Sequence, residues 1–183
     1  MNTYKIAVIN GDGIGHEIVP AGMELVHMVA QKHSFQLTTQ SFPFGAGYYK
    51  KTGQFMPDDG LETLKKFDAI FFGAVGLPDV DDRLPFKDYT NKVRTAFKQY
   101  VNYRPVKLWP GIKSPLRNKT AKDIDFVIIR ENNEGEFVQS GRQLYPESPE
   151  GMAMDTSIFT RKGIERVGGT NGRGGFCLFS RHF

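Results

Sequence analysis

Arg94, Arg104 and Arg130 stand in two segments, KVRTAFKQYVNYRP and FVIIRENNEGEF, the first running from a helix into a strand and the second closing a strand. Guanidinium groups stay charged at any working pH and grip carboxylates bidentately, so three gathered on one pocket would suit a dicarboxylate. Arginines scattered over the surface would read the same way in a chain with 24 Lys+Arg. Thr90 and Asn91 lie at i−4 and i−3 from Arg94 and share its helical face. Their polarity fits a small hydroxylated acid better than a branched apolar substituent.

Two glycine-bearing loops follow apolar, strand-like runs. GDGIGHE, from Gly11 to Glu17, comes directly after Lys5 to Ile9, and GAVGLPD, from Gly73 to Asp79, follows Ala69 to Phe72. A glycine turn between a strand and a helix N-terminus can present backbone N–H groups to an anion. A tight turn that needs small residues explains the same letters. The spacing Gly11, Gly13, Gly15 is not G-x-G-x-x-G, and no acidic residue closes the next strand near Gln40, so this is not a Rossmann site. Asp79, Asp81 and Asp82 read as a solvated acidic loop rather than a metal cluster.

In chain order, GDGIGHE, GAVGLPD, the Arg94 to Arg104 segment with YRPVKL, VIIRENNEGE (Val127 to Glu136) and FTRKGIERV (Phe159 to Val167) resemble the β-hydroxyacid oxidative decarboxylases. These are the isocitrate, isopropylmalate, tartrate and D-malate dehydrogenases, and the likeness is greatest to the tartrate/D-malate branch. The resemblance implies an α/β, isopropylmalate dehydrogenase-like two-domain fold of which only the N-terminal half is present. It implies NAD-dependent oxidation of a 2-hydroxy dicarboxylate such as tartrate or D-malate, with decarboxylation where the acid allows. Isocitrate and 3-isopropylmalate are the alternative substrates. Arg94, Arg104, Arg130, Thr90 and Asn91 would contact substrate, while Gly13, Ile14, Gly73, Ala74, Val75 and Gly76 would lie along the cofactor. The acid/base lysine, the carboxylates for Mg2+ or Mn2+ and the adenosine-binding loop belong to the family's other half. The main cofactor-binding residues are therefore expected to be missing, which leaves NAD versus NADP open.

Phe137 departs from the family, which places a catalytic tyrosine there. A ring without a hydroxyl cannot donate a proton, and Tyr145, eight residues on, is no replacement. The expectation is an inactive, truncated copy of a dehydrogenase. A non-catalytic dicarboxylate-binding or interaction protein is the alternative. By the same resemblance, family members pair as homodimers through the small domain, and the sequence leaves the oligomeric state of this chain open.

At 183 residues the chain can bury a sizeable core. The absence of an apolar run near ~18 residues and of a signal-peptide pattern, with Cys177 alone, points to a cytoplasmic protein without a membrane span. Net charge is +4, but basic and acidic residues are interspersed and no nucleic-acid motif occurs. Alternating patterns predict strands at 4–10, 34–41 and 69–72 and helices at 16–32, 58–66 and 87–100. Ile18, Gly22, Leu25 and Val29 fall on one face of the first helix. Residues 1–100 thus read as part of a cofactor-binding large domain. Residues 101–167 read as an incomplete, β-rich small domain with strands at 101–105, 126–130 and 152–159. A last helix is expected from 160, capped by Thr160 and stopped by Gly168 and Gly169. The Gly-rich residues 168–183 then read as a foreign tail, such as a frameshift, misassembled gene or premature stop would leave, with an ordinary helix end and flexible tail as the other reading.

Overall fold

The computed structural model describes residues 2–170 in two units, one ending at Phe97 and the next beginning at Lys98. In the first unit β1 (Thr3–Ile9) lies between β2 (Gln36–Phe42) and β3 (Ala69–Phe72), all parallel, with Ile6 opposite both Thr39 and Ala69. Parallel strands need crossover helices and so become covered on both faces. Accordingly, β1 divides its apolar residues by alternation. Val8 packs with Val19 and Met23 of α1 (Gly15–Lys32), beside Ile6, Val26 and Phe71. Ala7 and Ile9 face a larger core that holds Phe44, Phe55, Leu64, Tyr89 and Val93.

The buried line of α1 is Gly15, Val19, Met23 and Ala30, one residue out of phase with the face expected from Ile18, Leu25 and Val29. Those three are at least half exposed or nearly so, at 49%, 63% and 49%. Both stripes are apolar, and Gly22, a member of the expected face, packs with the buried one. At Gly22 a Cβ would come within 2.8 Å of the Phe71 ring, so glycine lets α1 lie down on β3.

Other elements also depart from the sequence expectation. The expected helix at 58–66 is the single turn α3 (Gly60–Leu64). The expected helix at 87–100 is the short α4 (Arg83–Pro85), a π-helical turn (Phe86–Thr90) and α5 (Asn91–Ala96), ended by Lys98 at φ 51°. Tyr89 and Val93 anchor that stretch, and packing of the fully buried Tyr89 ring near Phe55 and Phe72 favours the wider turn. Helix α2 (Ala46–Thr52) had no counterpart in the sequence reading.

The second unit pairs β4 (Val101–Lys107) antiparallel with β5 (Asp125–Glu131), and β6 (Arg142–Leu144) with β7 (Met152–Met154). The strand expected at 152–159 stops at Met154, and beyond it Ile158 bridges back to Gly135. Helix α6 (Arg161–Thr170) continues through Gly168 and Gly169, where a stop was expected. Glycine weakens a helix by about 1 kcal/mol relative to alanine but does not itself terminate one. The remainder of the supposed tail, after Thr170, lies outside the described residues.

Two helix starts are built alike. Gly45 offers no side chain to cap α2, and the buried Asp12 carboxylate accepts the Ala46 and Gly47 N–H groups at 2.7 Å each. At α6 the Thr160 hydroxyl accepts the Gly163 N–H at 3.0 Å, as expected of an N-cap. A capping box would place a glutamate at the third helical position to take the cap's own N–H. Here that position is Gly163, and Glu134 supplies the carboxylate from elsewhere in the chain, accepting the Thr160 N–H at 2.8 Å and hydroxyl at 2.7 Å. A Cβ on Gly163 would sit 2.0 Å from Glu134 Oε2.

An inverted helix-propensity effect is therefore expected. Gly163→Ala, ordinarily stabilising by up to about 1 kcal/mol inside a helix, should destabilise by about 1–3 kcal/mol here. Asp12→Ala, which strands one buried and two part-buried N–H donors at once, should cost on the order of 3–5 kcal/mol. Urea unfolding midpoints of the two variants against wild type check both signs.

Candidate functional site

The strand pair β4–β5 carries two of the three arginines. Asn102 and Arg104 alternate to one face of β4, and the register sets Asn102 opposite Arg130 on β5. Two asparagine amides join the guanidinium groups. Arg104 Nε donates to Asn102 Oδ1 at 3.1 Å, and Asn102 Nδ2 donates to Asn132 Oδ1 at 3.3 Å. Arg130 Nη2 donates to the same Asn132 oxygen at 2.8 Å. Asn132 is only 5% exposed and is itself fixed, its Nδ2 donating to the Gln99 carbonyl at 3.2 Å and its N–H to the Tyr100 carbonyl at 2.9 Å. Arg104 and Arg130 thus share a single hydrogen-bonded frame. Arg94 belongs to the first unit, where it is half-buried on α5 together with Asn91, next to Thr90 at the end of the π-helical turn.

Thr90 is tied down locally, its hydroxyl lying 3.3 Å from the Pro85 carbonyl and 3.2 Å from that of Phe86. This contact with the backbone of its own turn gives Thr90 a structural duty that its polarity alone did not reveal. Phe137 stands in a 3-10 turn (Glu136–Val138), and Arg130 Cζ lies 4.9 Å from its ring centroid.

Neither asparagine was picked out by the sequence reading. Both were visible in YVNYRP and RENNEGE, and the available signal was period two. Asn102 stands two residues from Arg104 on a strand, and Asn132 two residues from Arg130, where a polar side chain on an otherwise apolar pattern needs a partner.

Glu131 alternates to the opposite face and serves the fold. Its carboxylate accepts the Asn133 and Glu134 N–H groups at 2.8 and 2.6 Å and pairs with Arg166 at 2.7 Å. Arg166 also lies 3.7 Å from Glu134 and over the Tyr100 ring, its Cζ 4.7 Å from the centroid. Arg166 was missed as well, since nothing in FTRKGIERV marks it as inward-facing.

In the first unit the two glycine loops meet at the carboxyl ends of β1 and β3. The Asp12 N–H donates to the Ala74 carbonyl at 2.7 Å, and the Gly76 N–H donates to the Asp12 carboxylate at 3.1 Å. A Cβ at Gly11 would stand 1.9 Å from the Ala74 oxygen, and one at Gly73 would stand 2.1 Å from the Asn10 oxygen. These glycines are therefore explained by loop-to-loop packing. Gly13 and Gly76 have open space where a Cβ would point, and Ile14 is 60% exposed. Val75 turns inward against the core, and Ala74 is exposed.

The acidic loop resolves into separate ion pairs, Asp79 with Lys50 and Asp81 with Arg83 at 2.6 Å. The hydrogen bonds from Arg83 hold the Asp81 carboxyl at a pKa of about 2. Among the described residues no three or more His, Cys, Asp or Glu side chains are grouped so as to hold a metal ion.

Burial alone would raise the Glu134 pKa. The Thr160 N–H and hydroxyl, aided by the Arg166 charge, outweigh it and leave the group below the ordinary glutamate value. A carboxylate with a lowered folded-state pKa stabilises the fold above its unfolded-state value, and that contribution is lost as pH falls through the folded-state value. Attachment of α6 should therefore be intact at neutral pH and weaken below the usual glutamate range, about pH 4.3. Amide hydrogen exchange at Thr160 and Gly163, followed from pH 7 to pH 3, should show this loss in wild type. Glu134→Gln should flatten the pH dependence while raising exchange throughout.

The family profile described as isocitrate/isopropylmalate dehydrogenase matches residues 5–170. A probable tartrate dehydrogenase/decarboxylase of Agrobacterium vitis is 46% identical over 168 residues, which is 91% of this chain and 47% of that protein. The D-malate dehydrogenase (decarboxylating) of Escherichia coli strain K12 is 42% identical over 169 residues, again 91% of this chain and 47% of that one. Among solved structures, the isocitrate dehydrogenase from Methylococcus capsulatus superposes with a TM-score of 0.71 at 28% identity, covering 90% of this chain and 45% of that one. The chain spans about half the length of the curated relatives it matches. The motifs, their order and the fold agree on one assignment: the chain belongs to the isocitrate/isopropylmalate dehydrogenase family.

Proposed function

We propose that this chain supplies the carboxylate-binding strand pair and the cofactor-side loops of a dehydrogenase that acts on a small 2-hydroxy dicarboxylate of the tartrate or D-malate kind. The frame linking Arg104 and Arg130 through Asn102 and Asn132 carries this reading. An amide oxygen orients each guanidinium without itself adding a compensating charge, which suits recognition of an anion. Relatives described as tartrate and D-malate dehydrogenases support the substrate class. Polar Thr90 and Asn91 agree with a small hydroxylated acid rather than one bearing a branched apolar group.

NAD fits the first unit where Gly13 and Gly76 leave open space and Ile14 is exposed, with Gly73 and Ala74 lining the adjoining turn. When bound, it would accept the hydride from the carbon bearing the hydroxyl. The loops hold still for it because Asp12 ties both to α2. Mg2+ or Mn2+ does not fit the described residues, which provide no group of three or more His, Cys, Asp or Glu side chains to hold it.

Phe137 favours a second reading for the 183-residue chain taken alone, that of binding without turnover. Where relatives are expected to carry a tyrosine hydroxyl, this chain turns a plain ring to Arg130. The chain should therefore bind D-malate or L-tartrate in isothermal titration. It should generate no NADH from either acid with Mn2+ present. Arg104→Ala should weaken binding by roughly 10- to 100-fold, the scale of a lost charge-assisted bidentate contact. Metal-dependent NADH production by the purified chain would refute the binding-only reading, and absence of any dicarboxylate binding would refute both.

A further inference from the structure

We propose that Phe137 is a positioning residue for Arg130. On this view the ring face, rather than any proton carried at this position, is what the site uses. The inference rests on the dicarboxylate-binding reading above and deepens it.

Arg130 is held in two different ways. Asn132 Oδ1 takes Nη2 at 2.8 Å from the edge of the guanidinium, and the Phe137 ring lies 4.9 Å from Cζ. An edge bond at one nitrogen does not by itself set the plane of the group. A ring contact restrains that plane, and an arginine that must meet a planar carboxylate with two parallel N–H bonds gains most from a fixed plane.

The ring is held in place in turn. Its 3-10 turn follows Gly135 at φ 72°, whose N–H donates to the Ile158 carbonyl at 2.7 Å. A Cβ on Gly135 would come within 2.9 Å of the Phe159 ring, so no other residue fits there without displacement. Gln139, just after the turn, adopts φ 53°, a conformation that non-glycine residues take at an energetic cost. The turn is thus held on the Gly135 side by the bond to Ile158, and the strained Gln139 follows it directly in sequence. A side chain that only filled space would not need an aromatic face. Leucine or methionine would serve as well.

The test uses the 183-residue chain and two readouts. Without ligand, the Nε–H resonance of Arg130, assigned by its disappearance in Arg130→Lys, reports the ring contact through the ring-current shift. Phe137→Leu, and Phe137→Met should the first variant fold poorly, should move this resonance, while Phe137→Tyr should leave it near the wild-type position. A resonance unmoved by both aliphatic variants overturns the contact. In calorimetric titrations with D-malate and L-tartrate, Phe137→Tyr should bind within about twofold of wild type and the aliphatic variants roughly 5- to 20-fold more weakly. The aliphatic change should add nothing in an Arg130→Ala background, and an equal loss in that background overturns the positioning role. If the wild-type chain binds neither acid, the functional reading falls, and the resonance alone decides the contact.

Discussion

Within each unit, a carboxylate from a distant part of the sequence reaches a helix N-terminus and holds the local fold. A helix start leaves N–H groups without intrahelical partners and concentrates the positive end of the peptide dipoles. In α2 the residue before the first turn is Gly45, and Asp12 answers from 34 residues away. In α6 the Thr160 hydroxyl is occupied by Gly163, and Glu134 answers the remaining N–H from 26 residues away. Both arrangements need glycine at the point of contact, since a Cβ would lie 2.9 Å from Asp12 Oδ2 at Gly45 and 2.0 Å from Glu134 Oε2 at Gly163. Each carboxylate then does a second task. Asp12 takes the Gly76 N–H and so joins the loops after β1 and β3, and Glu134 lies beside Arg166, which also pairs with Glu131 at the end of β5. Buried charge is tolerated only when hydrogen-bonded or paired, and here that requirement fixes where loops and helices must lie.

That constraint explains where the sequence was readable and where it was not. Strands β1 and β3 were legible because Lys5 to Ile9 and Ala69 to Phe72 are apolar runs bounded by glycine. Helix α1 was legible as a helix but its buried side was not, because Ile18, Leu25 and Val29 form as good a stripe as Val19, Met23 and Ala30. The contact between Gly22 and Phe71 lies with the buried side, and it depends on a strand about fifty residues further on. Helix α2 escaped notice because its cap lies outside its own segment. The π-helical turn escaped because Tyr89 is set by ring contacts with Phe55 and Phe72, which no local pattern contains.

The site divides along the same line. Arginine stands out by charge, so Arg104 and Arg130 could be named from sequence, and the alternation of β4 and β5 brings them to one face. Asn102 and Asn132 could not be told from surface amides until the register set Asn102 across from Arg130. The glycine loops offered two explanations that the structure separates residue by residue. Gly11 and Gly73 answer to packing, whereas Gly13 and Gly76 retain room beside the backbone.

The second unit contains arginines of two kinds, and the difference lies in what each is bonded to. Arg166 is set between Glu131 and Glu134 with the Tyr100 ring beneath it, a cation whose charge is spent within the fold. Arg104 is oriented by an amide oxygen, and Arg130 by an amide oxygen and an aromatic face. A carboxylate partner fixes a guanidinium by neutralising it, while an amide or a ring fixes it and leaves the field outside intact. Replacing Asn102 or Asn132 by aspartate would preserve much of the hydrogen-bond pattern yet turn the second kind of arginine into the first. Amide partners orient Arg104 and Arg130, where carboxylates pair with Arg166. The amides occur on the face of β4–β5 that carries Asn102, Arg104 and Arg130, while the acidic partners stand on the side that receives α6.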